Sequence, residues 1–270
     1  AGKGFSDYHG LNFRGEIQDV GSTGLTMKMN YTWSHAIDNL SDVFSGSFNN
    51  FNLGLMDPFN PGLDKGNASF DARQRFVLSG IWDIPAFKSG RGLGRQLLGG
   101  WTLAPIFVAQ TGNPFTLYDS TNAQFWVSAR AMFDGPVDRK GTLGAPTSTP
   151  NNFTWMNLAN AKINSNWVNP ITGNSEFGPF PSNMTGRNAF TGPGSYNLDL
   201  GLYKSFQMTE TTKAQFRLET YNSLNHSNLY VNTADVDLAA TSLISANRGR
   251  ACANCTPSRR NVQLALKFTF

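Results

Sequence analysis

Val262-Gln263-Leu264-Ala265-Leu266-Lys267-Phe268-Thr269-Phe270 closes the chain in strict two-residue alternation. Successive side chains of a strand point to opposite faces, so one face here is wholly apolar and the other mostly polar. The apolar series runs through the last residue, an aromatic. A soluble protein has little reason to end on its apolar face, whereas a strand with lipid on one side does.

The same two-sided pattern recurs upstream. Leu25, Met27, Met29, Tyr31 and Trp33 alternate with Thr26, Lys28, Asn30, Thr32 and Ser34. Leu11, Phe13 and Ile17 alternate with Asn12, Arg14, Glu16 and Gln18. Leu198, Leu200 and Leu202 form a third series, and Ala214, Phe216 and Leu218 a fourth. The segments 73–84 and 101–112 are strand-like but apolar on both faces, which leaves their inner face unassigned. Seven strands are thus expected, over residues 8–18, 24–35, 73–84, 101–112, 196–206, 212–224 and 260–270. Phe125–Phe133 is a candidate for a further short strand.

Composition agrees. In 270 residues only 15% are charged, 13% are aromatic, and the helix formers Glu, Lys and Ala give way to Gly, Asn, Ser and Thr. Mean hydropathy is negative and no apolar run approaches the roughly 18 residues of a membrane helix. A net charge of +4 with scattered Lys and Arg leaves no nucleic-acid footprint. Tyr8, Tyr31, Trp33, Trp82, Trp101 and Tyr196 lie near strand ends, where an interfacial aromatic girdle is expected.

Loop lengths separate a sandwich from a membrane barrel. The connections Asp19–Thr23 and Gln207–Thr211 are short and Pro85–Gly100 is of medium length, while Ala36–Ala72, Asn113–Ser195 and Asn225–Arg259 are long. Short and long alternate, so every tight turn falls at one end and every long loop at the other, as in bacterial barrels. Loops of this length are expected to fold over one another or to bind something. An odd strand number leaves two open edges, costly in hydrocarbon. The expectation is therefore that residues 1–270 are the C-terminal part of one barrel domain, with further strands and any plug N-terminal to it.

Chemistry-bearing motifs are few. His9, His35 and His226 are far apart and in no metal-binding spacing, and no nucleophile elbow or phosphate loop occurs. No enzyme, cofactor or metal centre is expected. Asp235/Asp237 and Asp38/Asp42 are carboxylate pairs on loops, read as solvated charge ahead of Ca²⁺ ligands. Cys252 and Cys255 form a lone C-x-x-C, which cannot complete a tetrahedral site; a local disulfide leads over free thiols. The loop aromatics Phe125, Trp126, Trp155 and Trp167 are candidate ligand contacts, with packing into a loop core as the competing reading.

The segments YHGLNFR (8–14), LTMKMNYTWSHAIDN (25–39), DARQRFVLSGIWDIP (71–85), GGWTLAPIFVAQTGNPFT (99–116), GRNAFTGPGSYNLDLGLYKSF (186–206), FRLETYNSLNHSN (216–228) and RNVQLALKFTF (260–270) together resemble TonB-dependent outer-membrane receptors. They are most similar to the Oar-like group, which carries a carboxypeptidase-regulatory-like domain. The resemblance implies an all-β antiparallel transmembrane segment, about seven C-terminal strands of a 22-stranded barrel with a plugged lumen. It implies a location in the bacterial outer membrane and energy from the TonB complex through an N-terminal region outside this chain. It also implies an assembly signal read by the outer-membrane insertion machinery, on Val262, Leu264, Leu266, Phe268 and Phe270. The function implied is uptake of an extracellular oligosaccharide, peptide or chelate. The alternatives are an outer-membrane adhesin, separable by the absence of a plug, and a secreted β-sandwich, separable by solubility without detergent.

Overall fold

The computed structural model describes residues 4–41, 60–85, 98–122, 130–148, 152–164, 171–173, 182–231, 236–248 and 259–270. In chain order the first strands are β1 (Ser6–Gln18), β2 (Leu25–Asp38), β3 (Gly66–Asn67), β4 (Gln74–Asp83), β5 (Trp101–Gln110) and β6 (Pro114–Phe115). There follow β7 (Asn152–Asn157), β8 (Phe190–Thr191), β9 (Ser195–Gln207), β10 (Lys213–Tyr221), β11 (Leu229–Val231), β12 (Leu243–Arg248) and β13 (Asn261–Thr269). The long strands form an antiparallel meander in the order β1-β2-β4-β5-β9-β10-β13, with β3 attached to β2. All seven expected strands are present.

Their ends differ from the expectation for local reasons. β2 runs on to Asp38 because β1 continues opposite it to Ser6 and β3 pairs with its last two residues on the other side. β10 stops at Tyr221 because Asn222 and Asn225 take left-handed φ values of 52° and 50°. The Asn222 side chain closes that turn, accepting from the His226 N–H at 2.9 Å and donating to its carbonyl at 2.8 Å. At the turn between β1 and β2, Gly24 has φ 70° and a Cβ there would lie 2.3 Å from the Asp83 carbonyl, so only glycine fits.

Register assigns the faces. Residues directly opposite in an antiparallel pair share a face. One row runs Met29–Leu78–Phe107–Leu198 and another Leu103–Leu202–Leu218–Leu264. A single apolar face therefore spans all seven strands, carrying Leu11, Phe13, Phe76, Phe216, Leu266 and Phe268 as well. The opposite face holds Arg14, Glu16, Lys28, Arg75, Asp199, Arg217, Glu219 and Lys267. Two of its charges are partnered across strands, Lys28 with Glu16 at 3.2 Å and Glu219 with the Tyr203 hydroxyl at 3.1 Å.

The two segments left unassigned by periodicity are settled by their neighbours. Phe76, Leu78 and Trp82 join the apolar face with Trp101, Leu103 and Phe107. Val77, Ile81, Ala104, Ile106 and Val108 therefore form an apolar patch on the otherwise polar face. Five of the expected girdle aromatics lie on the apolar face: Tyr31, Trp33 and Tyr196 toward the long-loop end, Trp82 and Trp101 toward the tight turns. Tyr8 departs from this expectation. It pairs opposite Ala36 on the polar face, because its even position matches Asn12 and Arg14 rather than Leu11. Lys204, a cation on the apolar face, bends to the Gly99 carbonyl beside the Trp101 and Phe206 rings, at 5.5 and 5.1 Å. A long stem with its charge drawn to the boundary suits a strand end at a membrane surface.

The strands are staggered. The row Leu25–Trp82–Leu103–Leu202 starts beside the first tight turn and, three strands on, lies five residues inside β9. With both tight turns at one level, ~3.3 Å per residue and ~4.8 Å per strand step give an inclination on the order of 45°. That is the tilt a membrane-barrel wall uses.

The molecule's hydrophobic core lies elsewhere. Its buried cluster comprises Leu117, Tyr118, Ala131, Phe133, Trp155, Met156, Leu158, Phe190, Val236, Ile244 and Ala246, all from the long connections. None comes from the seven long strands, whose apolar side chains stay open, Leu264 at 65% and Phe13 at 54% exposure. A sandwich would bury that face; a barrel wall leaves it to lipid.

Candidate functional site

The long connections converge at the end of the sheet away from the tight turns and build a cored cap. β11-β12-β7 form one small sheet and β6-β8 another. Phe190, fully buried, sits between Phe115 and Phe133 with ring centroids at 5.8 and 6.5 Å. Around it the backbone zips residue by residue: Thr142 and Gly144 donate to the Trp155 and Thr154 carbonyls at 3.0 and 2.8 Å, and Tyr118 donates to Val236 at 2.8 Å.

A buried polar network fastens this cap to the sheet. Arg187 pairs with Asp38 at the end of β2 and also donates to the Asp64 carbonyl at 2.7 Å and to Ser41 Oγ at 3.0 Å. Arg130 pairs with Asp64 and donates to the Leu63 carbonyl at 2.9 Å. Asn67 and Asn188 exchange side-chain amide and backbone carbonyl bonds at 2.8 and 2.7 Å. Asp71 accepts from the Ala36 N–H at 2.8 Å and from Arg73 Nε at 2.7 Å. Arg73 reaches on to His35 Nε2 at 2.8 Å. A guanidinium only donates, so His35 accepts there through a lone pair. Ion pairs of this kind add little net stability over apolar packing, but losing one partner strands a buried charge. Their role here is to set where the cap sits. Burial raises the pKa of the Tyr118 hydroxyl and lowers that of the Arg130 guanidinium, its partner Asp64 opposing the second shift.

Two cavities flank the backbone of residues 110–114 on opposite sides of the sheet. The first, about 300 Å³, opens on the polar-face side and is lined by Gln110, Thr116, Tyr118, Asn188, Ser195 and Tyr230 among others. Among the described residues its lining contains no Asp, Glu, Lys, Arg or His. The second, about 590 Å³, lies on the apolar-face side, between Tyr31, Phe76 and Ala109 of the strands and Arg73, Lys140 and Trp155. The wall between them admits no bulk, since a Cβ on Gly112 would lie 1.8 Å from the Gly192 carbonyl.

Of the aromatic candidates, Trp155 belongs to the cap core, with its indole N–H donating to the Thr191 carbonyl at 3.0 Å, and one edge of it lines the larger cavity. Phe125, Trp126 and Trp167 lie outside the described residues, as do Cys252, Cys255, Asp42 and Asp235. Of the short strand suggested over 125–133, Arg130, Met132 and Phe133 make isolated bridges to Tyr118, Met184 and Ile163. Asp38 serves Arg187, and Asp237 accepts from the Ser120 N–H at 2.9 Å, so each carboxylate is engaged in loop structure. No cluster of metal-binding side chains occurs among the described residues. His226 stacks on Tyr196 at 3.8 Å, and His9 contacts Asp7 at 3.2 Å. In β13, Val262, Leu264, Leu266 and Phe268 share the apolar face, with Phe270 one residue past the strand and 91% exposed. The Arg130–Asp64 and Arg187–Asp38 clamps were invisible in the sequence, because partners 66 and 149 residues apart carry no local signal.

An antiparallel wall with one lipid-compatible face, a charged polar face, tight turns below and a cored cap above is the architecture of a membrane β-barrel. The chain belongs to the outer membrane beta barrel domain family, whose model matches residues 1–263. This places the protein in the bacterial outer membrane. No curated protein and no solved structure matches the chain.

Proposed function

We propose that this chain is part of the wall and cap of a TonB-dependent receptor of the Oar-like type, taking up an extracellular ligand rather than catalysing a reaction. The observation that supports this best is the cap itself: long loops at one end only, folded about their own core and anchored to that end of the sheet. A surface adhesin needs loops, but not a built vestibule above a polar lumen wall. β1 and β13 run in the same direction, so an all-antiparallel closure takes an odd number of further strands between them. About fifteen would complete the 22-stranded type. The described lining of the smaller cavity, polar and uncharged, favours a neutral, hydrogen-bonding ligand, an oligosaccharide or peptide segment, over an anionic chelate.

The test uses the full-length protein in detergent. The purified periplasmic domain of TonB should capture it, more strongly once a neutral oligosaccharide pool is added and not with ferric citrate. Absence of capture under every condition sinks the TonB reading. Capture enhanced by ferric citrate alone sinks the neutral-ligand reading.

A further inference from the structure

The larger cavity does not face the lumen. Tyr31, Phe76 and Ala109, which form its lower wall, all belong to the apolar face that meets lipid. They lie toward the cap end of their strands, at the level of the girdle residues Trp33 and Tyr196, where hydrocarbon gives way to headgroups. Above them stand Gln74, Arg73 and Lys140. Asp71 is also in the lining, but its carboxylate is engaged by Arg73 and by the Ala36 N–H. Lys140 is exposed and has no carboxylate partner among the described residues, so its charge is the one left over.

We propose that this cleft binds an anionic lipid of the outer leaflet, a phosphate-bearing amphiphile. Its chains lie along Tyr31, Phe76 and Ala109, and its phosphate lies beside Lys140 with Arg73 behind. Three features select that occupant. The lower half is apolar and continuous with the lipid-facing sheet, so chains enter without leaving the membrane. The described residues of the upper half, Asp71, Arg73 and Lys140, carry one net positive charge, matching a phosphate. The volume, about 590 Å³, suits one ligand. The cap hairpin bearing Lys140 and Trp155 thereby gains a second anchor, to the membrane itself. The proposal rests on the outer-membrane placement and is independent of transport or of TonB.

Native mass spectrometry of the full-length protein in a neutral maltoside detergent tests it, with phosphatidylglycerol, phosphatidylcholine and inorganic phosphate as probes. One molecule of phosphatidylglycerol should stay bound at energies that strip phosphatidylcholine. Lys140→Gln should weaken that retention about fivefold, the value of one cation near an anionic surface. Ala109→Trp, which fills the cleft from its apolar wall, should abolish it. Heat-modifiable gel mobility of both variants reports that the barrel has formed. Equal retention of the two lipids, or retention unchanged by Lys140→Gln, overturns the proposal. Displacement by inorganic phosphate does so too, by reducing the site to an anion site without lipid.

Discussion

Sidedness of the sheet is the premise on which the cap, the lumen and the lipid cleft all depend, and one pair of arginine substitutions tests it. Leu218 lies on the apolar face of β10 between Leu202 and Leu264, five residues above the turn-flanking Lys213. On a strand inclined by about 45° that is roughly 12 Å above the turn surface, about the middle of a ~25 Å apolar band. Leu218→Arg should therefore cost about 2–4 kcal/mol, the penalty for arginine at the bilayer midplane. Gln263 is one row away on the polar face, opposite Glu219. Gln263→Arg should be neutral or gain up to about 1 kcal/mol as a cross-strand ion pair. The assay is reversible guanidinium unfolding of the full-length protein in phosphatidylcholine vesicles, followed by tryptophan fluorescence and gel mobility. The two variants should differ by about 2–5 kcal/mol, roughly one and a half to three and a half decades in folding equilibrium constant. Equal effects, or a larger loss for Gln263→Arg, would refute the assignment of the apolar face to lipid.

The cap should loosen independently of the wall. Phe190→Ala empties the centre of the cap core and should cost about 3–5 kcal/mol there; amide exchange in β6, β8 and β12 should accelerate while β9 and β10 hold, and joint acceleration would show that the cap has no core of its own. Alkaline pH should have the same local effect. The Tyr118 hydroxyl has a pKa raised by burial above its ordinary 10.0, so its stabilising neutral form is fully present below pH 10 and is lost as pH rises through the folded value. Cap stability should then fall with a slope of at most about 1.4 kcal/mol per pH unit above pH 10, a slope that Tyr118→Phe should remove; an unchanged slope in that variant would place the alkaline sensitivity elsewhere. Deleting Phe270 should lower outer-membrane levels of the full-length protein without lowering its synthesis, and normal surface levels would count against the C-terminal strand as an assembly signal.

What the residues determined on their own was the wall. Two-residue alternation is a local property, so the seven strands, the polar and apolar sides of five of them and the parity of their connections could be read directly. The barrel was legible for that reason, down to the apolar series from Val262 to Phe268. Alternation says nothing where both faces are apolar. Segments 73–84 and 101–112 acquired sides only through ladder partners such as Tyr31 opposite Phe76 and Leu103 opposite Leu202. Tyr8 went to the polar face by the same rule, although its residue type suggested the girdle. The cap belongs wholly to tertiary structure. Phe115, Phe133 and Phe190 look like scattered loop aromatics, and Asp38 and Arg187 like solvated loop charges, until folding brings residues 149 apart in the chain into one clamp. Burial of a side chain in a loop depends on which distant segments close over it, and no periodicity in the chain encodes that.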